Sequence, residues 1–134
     1  MFENAWIADD VAVFDHATIC ENAVVFGNAQ IYDNAEILEN SMICENAQIY
    51  GNALIGGSAL VDGKARVHGN AAVYGFSRVF GNSEIFDNVG VFDRARVFGN
   101  AKISMDVSIC ENAQVYGDAM VCGMNTISGS AIVK

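Results

Sequence analysis

The stretch GNAQIYDNAEILENSMICENAQIYGNALIG, residues 27–56, decides the fold. Within it the phrase Asn-Ala-x-Ile returns every six residues, with Ser41 once in place of the alanine. The same spacing runs outward along the whole chain. Every sixth residue from Ile7 to Val133 is Ile or Val, twenty-two in all. Two places before each of them, from Ala5 to Ala131, stand fifteen Ala, three Ser (41, 77, 83), three Val (11, 89, 107) and Asn125. The residue before that is Asn in twelve hexads, and the one before it is Gly, Asp or Glu, with Met105 the exception. No insertion breaks the register.

A period of six is neither helical nor that of a plain alternating strand. It is the period of a stacked coil. Each hexad predicts a short strand, small-x-Ile/Val, whose two apolar side chains share one face because strand side chains alternate. The Gly/Asp/Glu-Asn pair predicts a corner, since these residues adopt turn and left-handed backbone angles at least cost. Three hexads close a triangular prism. That makes about seven coils of eighteen residues, and at ~4.8 Å per coil a rod roughly 36 Å long. Proline is absent, as suits a chain made of uninterrupted backbone ladders.

Hexads such as IYDNAE (31–36) and VFGNAK (97–102) resemble the hexapeptide-repeat, left-handed parallel β-helix superfamily. The resemblance covers the whole chain and implies an all-β prism, residues 1–134, as a single domain without inserted loops. Its left hand comes from the resemblance alone. The superfamily includes acyltransferases, in which a histidine is the general base and an acyl-CoA or acyl-carrier substrate lies between the prisms of a trimer. It also includes carbonic anhydrases whose zinc is held by three histidines. The chain looks more like the bacterial or phage proteins that carry long versions of this repeat with no identified chemistry. One departure stands out. The residue after Ile/Val is usually small or acidic in the superfamily, and here it is often aromatic, as at Phe14, Tyr32, Tyr50 and Phe86.

Stacking i on i+18 predicts three outward faces. The first carries Trp6, Val24, Met42 and Leu60 in one file, continued by Arg78, Arg96, Gln114 and Ile132. Beside it run Ala8, Phe26, Cys44, Asp62, Phe80, Phe98 and Tyr116. The N-terminal half of this face is a contiguous apolar patch of a kind that solvated surfaces avoid. Trp6, Val24, Phe26, Met42, Leu60, Phe80 and Phe98 therefore form the expected interaction face. The second face carries Phe14, Tyr32, Tyr50, His68 and Phe86, and the third Cys20, Leu38, Gly56, Tyr74, Phe92 and Cys110. Glu3, Glu21 and Glu39 stack at one corner. The expectation there is a solvated acidic edge, with each like-charged contact at ~5 Å costing about 1 kcal/mol in water. Phe2 and Trp6 are expected to cap one end, and Asn125 to mark a looser last coil.

Charge is divided along the rod. Residues 1–63 hold ten acids and no Lys or Arg, and the seven bases all lie from Lys64 onward, against six acids. This balance argues against nucleic acid as a direct ligand, because phosphate needs Lys and Arg. It suits a basic protein partner or attraction between copies. No apolar run approaches a membrane span, and the acidic start MFENAWIADD lacks the basic opening of a secretion signal, so the expected location is cytoplasmic. The four cysteines fall on different faces or five coils apart and make no Cys-x-x-Cys, which predicts reduced thiols. No metal site or cofactor is expected.

The function expected is a non-enzymatic structural or protein-interaction module. It would form a homo-oligomer, dimer or trimer, or dock on a protein partner. Two alternatives remain open. The resemblance implies an acyl-CoA-dependent O/N-acyltransferase, with His68 the residue placed to act as its base. The charge asymmetry implies an acidic protein that imitates nucleic acid.

Overall fold

The computed structural model describes residues 4–134. Phe2 and Glu3, named above as an end cap and as part of the acidic edge, lie outside the described residues. The described chain is a β-solenoid of 22 two-residue strands, from Trp6–Ile7 to Ile132–Val133. These form three parallel sheets, one of eight strands and two of seven. Each strand pairs with the one three hexads later, so that Gln30 lies on Gln48 and Ile31 on Ile49. The eighteen-residue winding and the three faces expected from the hexads are therefore the observed ones.

The ladder follows from the alternation. In each coil the N–H groups flanking the inward Ile/Val donate to the coil above, as Trp6 does to the Ala23 carbonyl at 2.9 Å and Ala8 to Val25 at 3.0 Å. The inward Ile/Val and the small residue two before it fill the prism. From Ile19 to Val115 these side chains are essentially inaccessible, for example Ile49 and Ala53 at 0%. Burying each such Ile or Val contributes about 1.5–3 kcal/mol. Serines replace alanine inside without leaving an orphan hydroxyl. Ser41 Oγ donates to the Leu38 carbonyl at 2.6 Å, and Ser83 Oγ to Phe80 at 2.8 Å. In the end coils the inward side chains have a neighbour on one side alone, and Val13 is 38% exposed.

The corners are uniform. From Asp9 onward the first residue of each corner pair takes the left-handed conformation, as at Asp33 (φ 58), Glu39 (φ 60) and Gly51 (φ 68). Met105 does so too, at φ 68. The second residue builds a further ladder from its side chain. Asn34, Asn52, Asn70 and Asn88 each donate from Nδ2 to the side-chain oxygen eighteen residues on, ending at the Asp106 carboxylate, at 3.0–3.3 Å. That ladder is the physical reason for the asparagine in the repeat. Asn125, set in an inward small-residue position, is exposed, and its Nδ2 donates to the Cys122 carbonyl at 3.0 Å. The corner before it is open, with Gly123 at φ 109. This is the looser coil expected there.

Two substitutions test the coil. Ile49→Ala should cost about 2–5 kcal/mol in denaturant unfolding, because it opens a cavity in a closed core. Met105→Gly should raise stability by about 1 kcal/mol, since a left-handed backbone penalises any Cβ and the Met105 side chain is half exposed. A loss on Met105→Gly would mean that the corner does not hold that conformation in solution.

Candidate functional site

The first face was expected to display both of its files, and the structure corrects this. Trp6 is 59% exposed and Met42 38%, with Val24 and Leu60 half-buried between them in one unbroken file. The adjacent file is more covered. Phe26, Phe80 and Phe98 are half-buried, Cys44 is buried, and Asp62 keeps 8% of its surface. The cause is the side chain that reaches diagonally from the next coil. Arg78 Nη2 donates to Asp62 Oδ2 at 2.8 Å, and its guanidinium lies 4.2 Å from the Phe80 ring centroid. Asp62 Oδ1 and Arg78 Nε are buried without partners, and a guanidinium turned fork-on to the carboxylate would satisfy both. Arg96 lies over Phe80 and Phe98 at 5.5 and 5.7 Å. The C-terminal half of the face is thus sheathed by arginine, while the Trp6–Leu60 half is bare.

The second face is a ladder of rings. Phe14, Tyr32, Tyr50, His68 and Phe86 stack at centroid spacings of 4.5–5.1 Å with planes within 4°. Neighbours cover both faces of each inner ring, so only the edges meet solvent. A ligand that stacks on aromatic faces, such as a base, finds none free between the two end rings, Phe14 and Phe86. His68 is held in this row and by a hydrogen bond between its Nε2 and Glu84 Oε1 at 2.8 Å. Arg66 and Lys102 flank the same carboxylate at 3.4 and 3.6 Å, and Arg66 donates to the Tyr50 hydroxyl at 2.6 Å. Burial pushes the Glu84 carboxyl up. The hydrogen bond from His68 and the charges of Arg66, His68 and Lys102 outweigh burial and hold it below the usual carboxylate range.

The acids at the corners have a task that the sequence did not reveal. Asp33 Oδ2 accepts the Gly51 N–H at 3.0 Å, and Glu39 Oε2 accepts the Gly57 N–H at 2.5 Å. Asp9, Asp87, Asp93 and Glu111 do the same for the residue eighteen further on. The expected solvated edge is therefore partly a set of backbone caps. Asp93 and Glu111 also border a shallow depression beside the exposed ring of Phe76. Glu3 lies outside the described residues, and no hydrogen bond is assigned to the Glu21 carboxylate.

No disulfide joins the four cysteines. Burial, followed by the charges of Asp62 and Glu45, pushes the Cys44 thiol up to about 11 against the pull of Arg78. Among the described residues no three His, Cys, Asp or Glu side chains are placed to hold a metal ion, and no helix is long and apolar enough to cross a membrane.

A family model described as YdcK Beta solenoid repeat matches residues 47–63 and 113–123. Both segments are runs of the hexad, one on each side of the middle of the rod. Neither the curated proteins nor the solved structures contain a match.

Two measurements follow from this geometry. An alkylating reagent at neutral pH should modify exposed Cys122 quickly and Cys44 last, because a buried thiol held near its neutral form is a poor nucleophile; equal rates would contradict the burial of Cys44. The lowered Glu84 value makes a stabilising contribution that is complete above the ordinary carboxylate range and is lost as pH falls through the folded-state value. In acid titrations followed by thermal melting, Glu84→Gln should flatten that part of the stability curve. An unchanged curve would remove Glu84 from the network.

Proposed function

We propose that this β-solenoid repeat protein is a non-catalytic scaffold that docks through the N-terminal half of its first face. The observation that carries the reading is the unbroken apolar file from Trp6 to Leu60; the other strongly exposed apolar side chains, Phe76, Met105 and Met124 at corners and Met120 on the second face, stand singly. Solvated surfaces avoid contiguous apolar area of this kind, and interfaces collect it, with Trp, Met and aromatic residues enriched. A prism with its core filled throughout by Ile, Val and Ala also suits a rigid spacer or platform better than a site that must close around a substrate. The proposed partner is a protein surface, either a second copy or another chain.

The test is mass in solution. The Trp6→Ser, Leu60→Ser double variant should lower the mass measured by light scattering relative to the parent, with the thermal transition retained because neither side chain is in the core. A parent and variant of equal mass would discard self-association through this face.

The acyltransferase reading has one observation in its favour, the hydrogen bond from His68 to Glu84, since a carboxylate can orient a basic imidazole. It predicts that acetyl-CoA raises the melting temperature by binding the folded state, and that His68→Ala abolishes the shift. The scaffold reading predicts no shift in either protein. The reading as an acidic imitator of nucleic acid draws no support from the corners, where carboxylates already serve backbone N–H groups.

A further inference from the structure

The two ends of the rod differ in kind, and we infer that the C-terminal end docks on the N-terminal end of a second copy, so that copies add head to tail along one axis. This contact uses the ends of the prism and goes beyond the first-face reading above.

The backbone ladder has a direction. Trp6 in the first coil donates to Ala23 in the second, and Tyr116 donates onward to Val133 in the last. Ladder N–H groups therefore point toward the C-terminal end, and ladder carbonyls toward the N-terminal end. Among the described residues, every second N–H from Met120 to Lys134 lacks a partner, and so does every second carbonyl from Ala5 to Ile19. One end is thus a row of eight donors and the other a row of eight acceptors. An open row of this kind is a template for pairing with another chain. Two C-terminal ends would set N–H against N–H, and two N-terminal ends carbonyl against carbonyl. The head-to-tail polarity alone pairs donors with acceptors, and main-chain bonds of this type supply affinity when a strand is added to a sheet edge.

The side chains at the ends fit the same occupant. The inward Ile and Val residues are closed from Ile19 to Val115, whereas Ile7, Val13, Val121, Ile127 and Val133 keep accessible surface. Of the nine large apolar side chains that are exposed among the described residues, six lie in the end coils: Trp6, Val13, Phe14, Met120, Met124 and Ile132. The hexad count also carries across the seam, because six residues beyond Val133 is the place that Ile7 of the next copy takes. Met120–Val121 then pairs with Trp6–Ile7, Thr126–Ile127 with Ala12–Val13, and Ile132–Val133 with Thr18–Ile19 of the next copy. Met120, 81% exposed, comes under Trp6, and the open core positions close on one another. In the other two orientations of the prism the seam leaves a hexad uncovered or overlaps the chains. Residues 119–133 carry no charged side chain, so Asp9, Asp10 and Asp15 of the next copy meet no charge of their own sign there. They come over Gly123, Met124 and Gly129. A contact between unlike ends does not close on itself, and it repeats as an open rod.

Sedimentation equilibrium on the full chain tests this. The average mass of the parent should climb with concentration past that of a dimer. Thr126→Pro removes one of the free donors and no bond of the chain itself. Val13→Lys places a charge on the acceptor end, as natural sheet edges do to block pairing. Each variant alone should lose the climb. Mixed in equal amounts they should associate beyond either alone, because the intact acceptor end of Thr126→Pro meets the intact donor end of Val13→Lys. Leu60→Ser, on the first face near the middle of the rod, should leave the climb in place. Thermal melts establish that each variant is folded. A measurement without substitution stands beside these. The Thr126 amide should exchange about tenfold more slowly when nine-tenths of the ends are stacked than in dilute solution. A parent that stays monomeric at every concentration, or levels off at a dimer, would overturn the end contact. In the second case, if Leu60→Ser dissociates the dimer, the first face stands and the end contact alone falls. A climb that Thr126→Pro leaves untouched, a mixture no heavier than its components, or Thr126 exchange independent of concentration would overturn it as well.

Discussion

One backbone conformation at each corner carries the rest of the rod. The first residue of the corner pair turns left-handed, the chain changes direction, and the next three residues fall back into extended pairing with the coil eighteen residues away. The ladder serves the N–H groups on either side of this residue but omits its own. Where the coil below offers Asp or Glu at the same corner, that carboxylate accepts the omitted N–H, as Asp33 does for Gly51 and Glu39 for Gly57. A side chain in the left-handed region costs roughly 1–2 kcal/mol. A hydrogen bond to a charged group contributes about 1.5–3 kcal/mol. An acid that finds a partner thus offsets its own strain, and a glycine avoids the strain. This explains why the corner alternates between Gly and acids and excludes nearly everything else. Met105, with neither advantage, is the conspicuous misfit.

Much of this was legible in the hexads. A period of six with invariant Ile/Val sets the winding, and the winding sets which residues share a file. Trp6, Val24, Met42 and Leu60 could be placed in one row before any coordinates. What escaped were contacts on the diagonal. Tyr50 with Arg66, Asp62 with Arg78, and His68 with Glu84 are each sixteen residues apart, the spacing between one file and the neighbouring file of the next coil. That spacing follows from the eighteen-residue coil and was available as a signal. Its neglect made Cys44 and Asp62 look exposed, when Arg78 lies across this part of the face. The capping role of the acids escaped for a different reason. Its partner is a backbone N–H, which has no letter in the sequence.

The same contacts narrow what the surface can do. The ring ladder on the second face uses its own faces, and the diagonal ion pairs occupy Glu84, Asp62, Arg66 and Arg78. On the third face Tyr74 folds over Gly56, where a Cβ would stand 2.5 Å from its ring. A contiguous apolar file remains on the N-terminal half of the first face, next to acidic corners. Each feature is modest by itself. Together, on the N-terminal half of the first face, they are what sets the place of the proposed contact.

Amide hydrogen exchange, resolved residue by residue, tests the corner most directly. If carboxylates hold the N–H groups that the ladder omits, Gly51 and Gly57 should exchange slowly. Gly69, Gly75 and Gly81, which have glycine in the coil below, should exchange quickly although they occupy the same turn. Five glycine amides exchanging at one common rate would contradict the account.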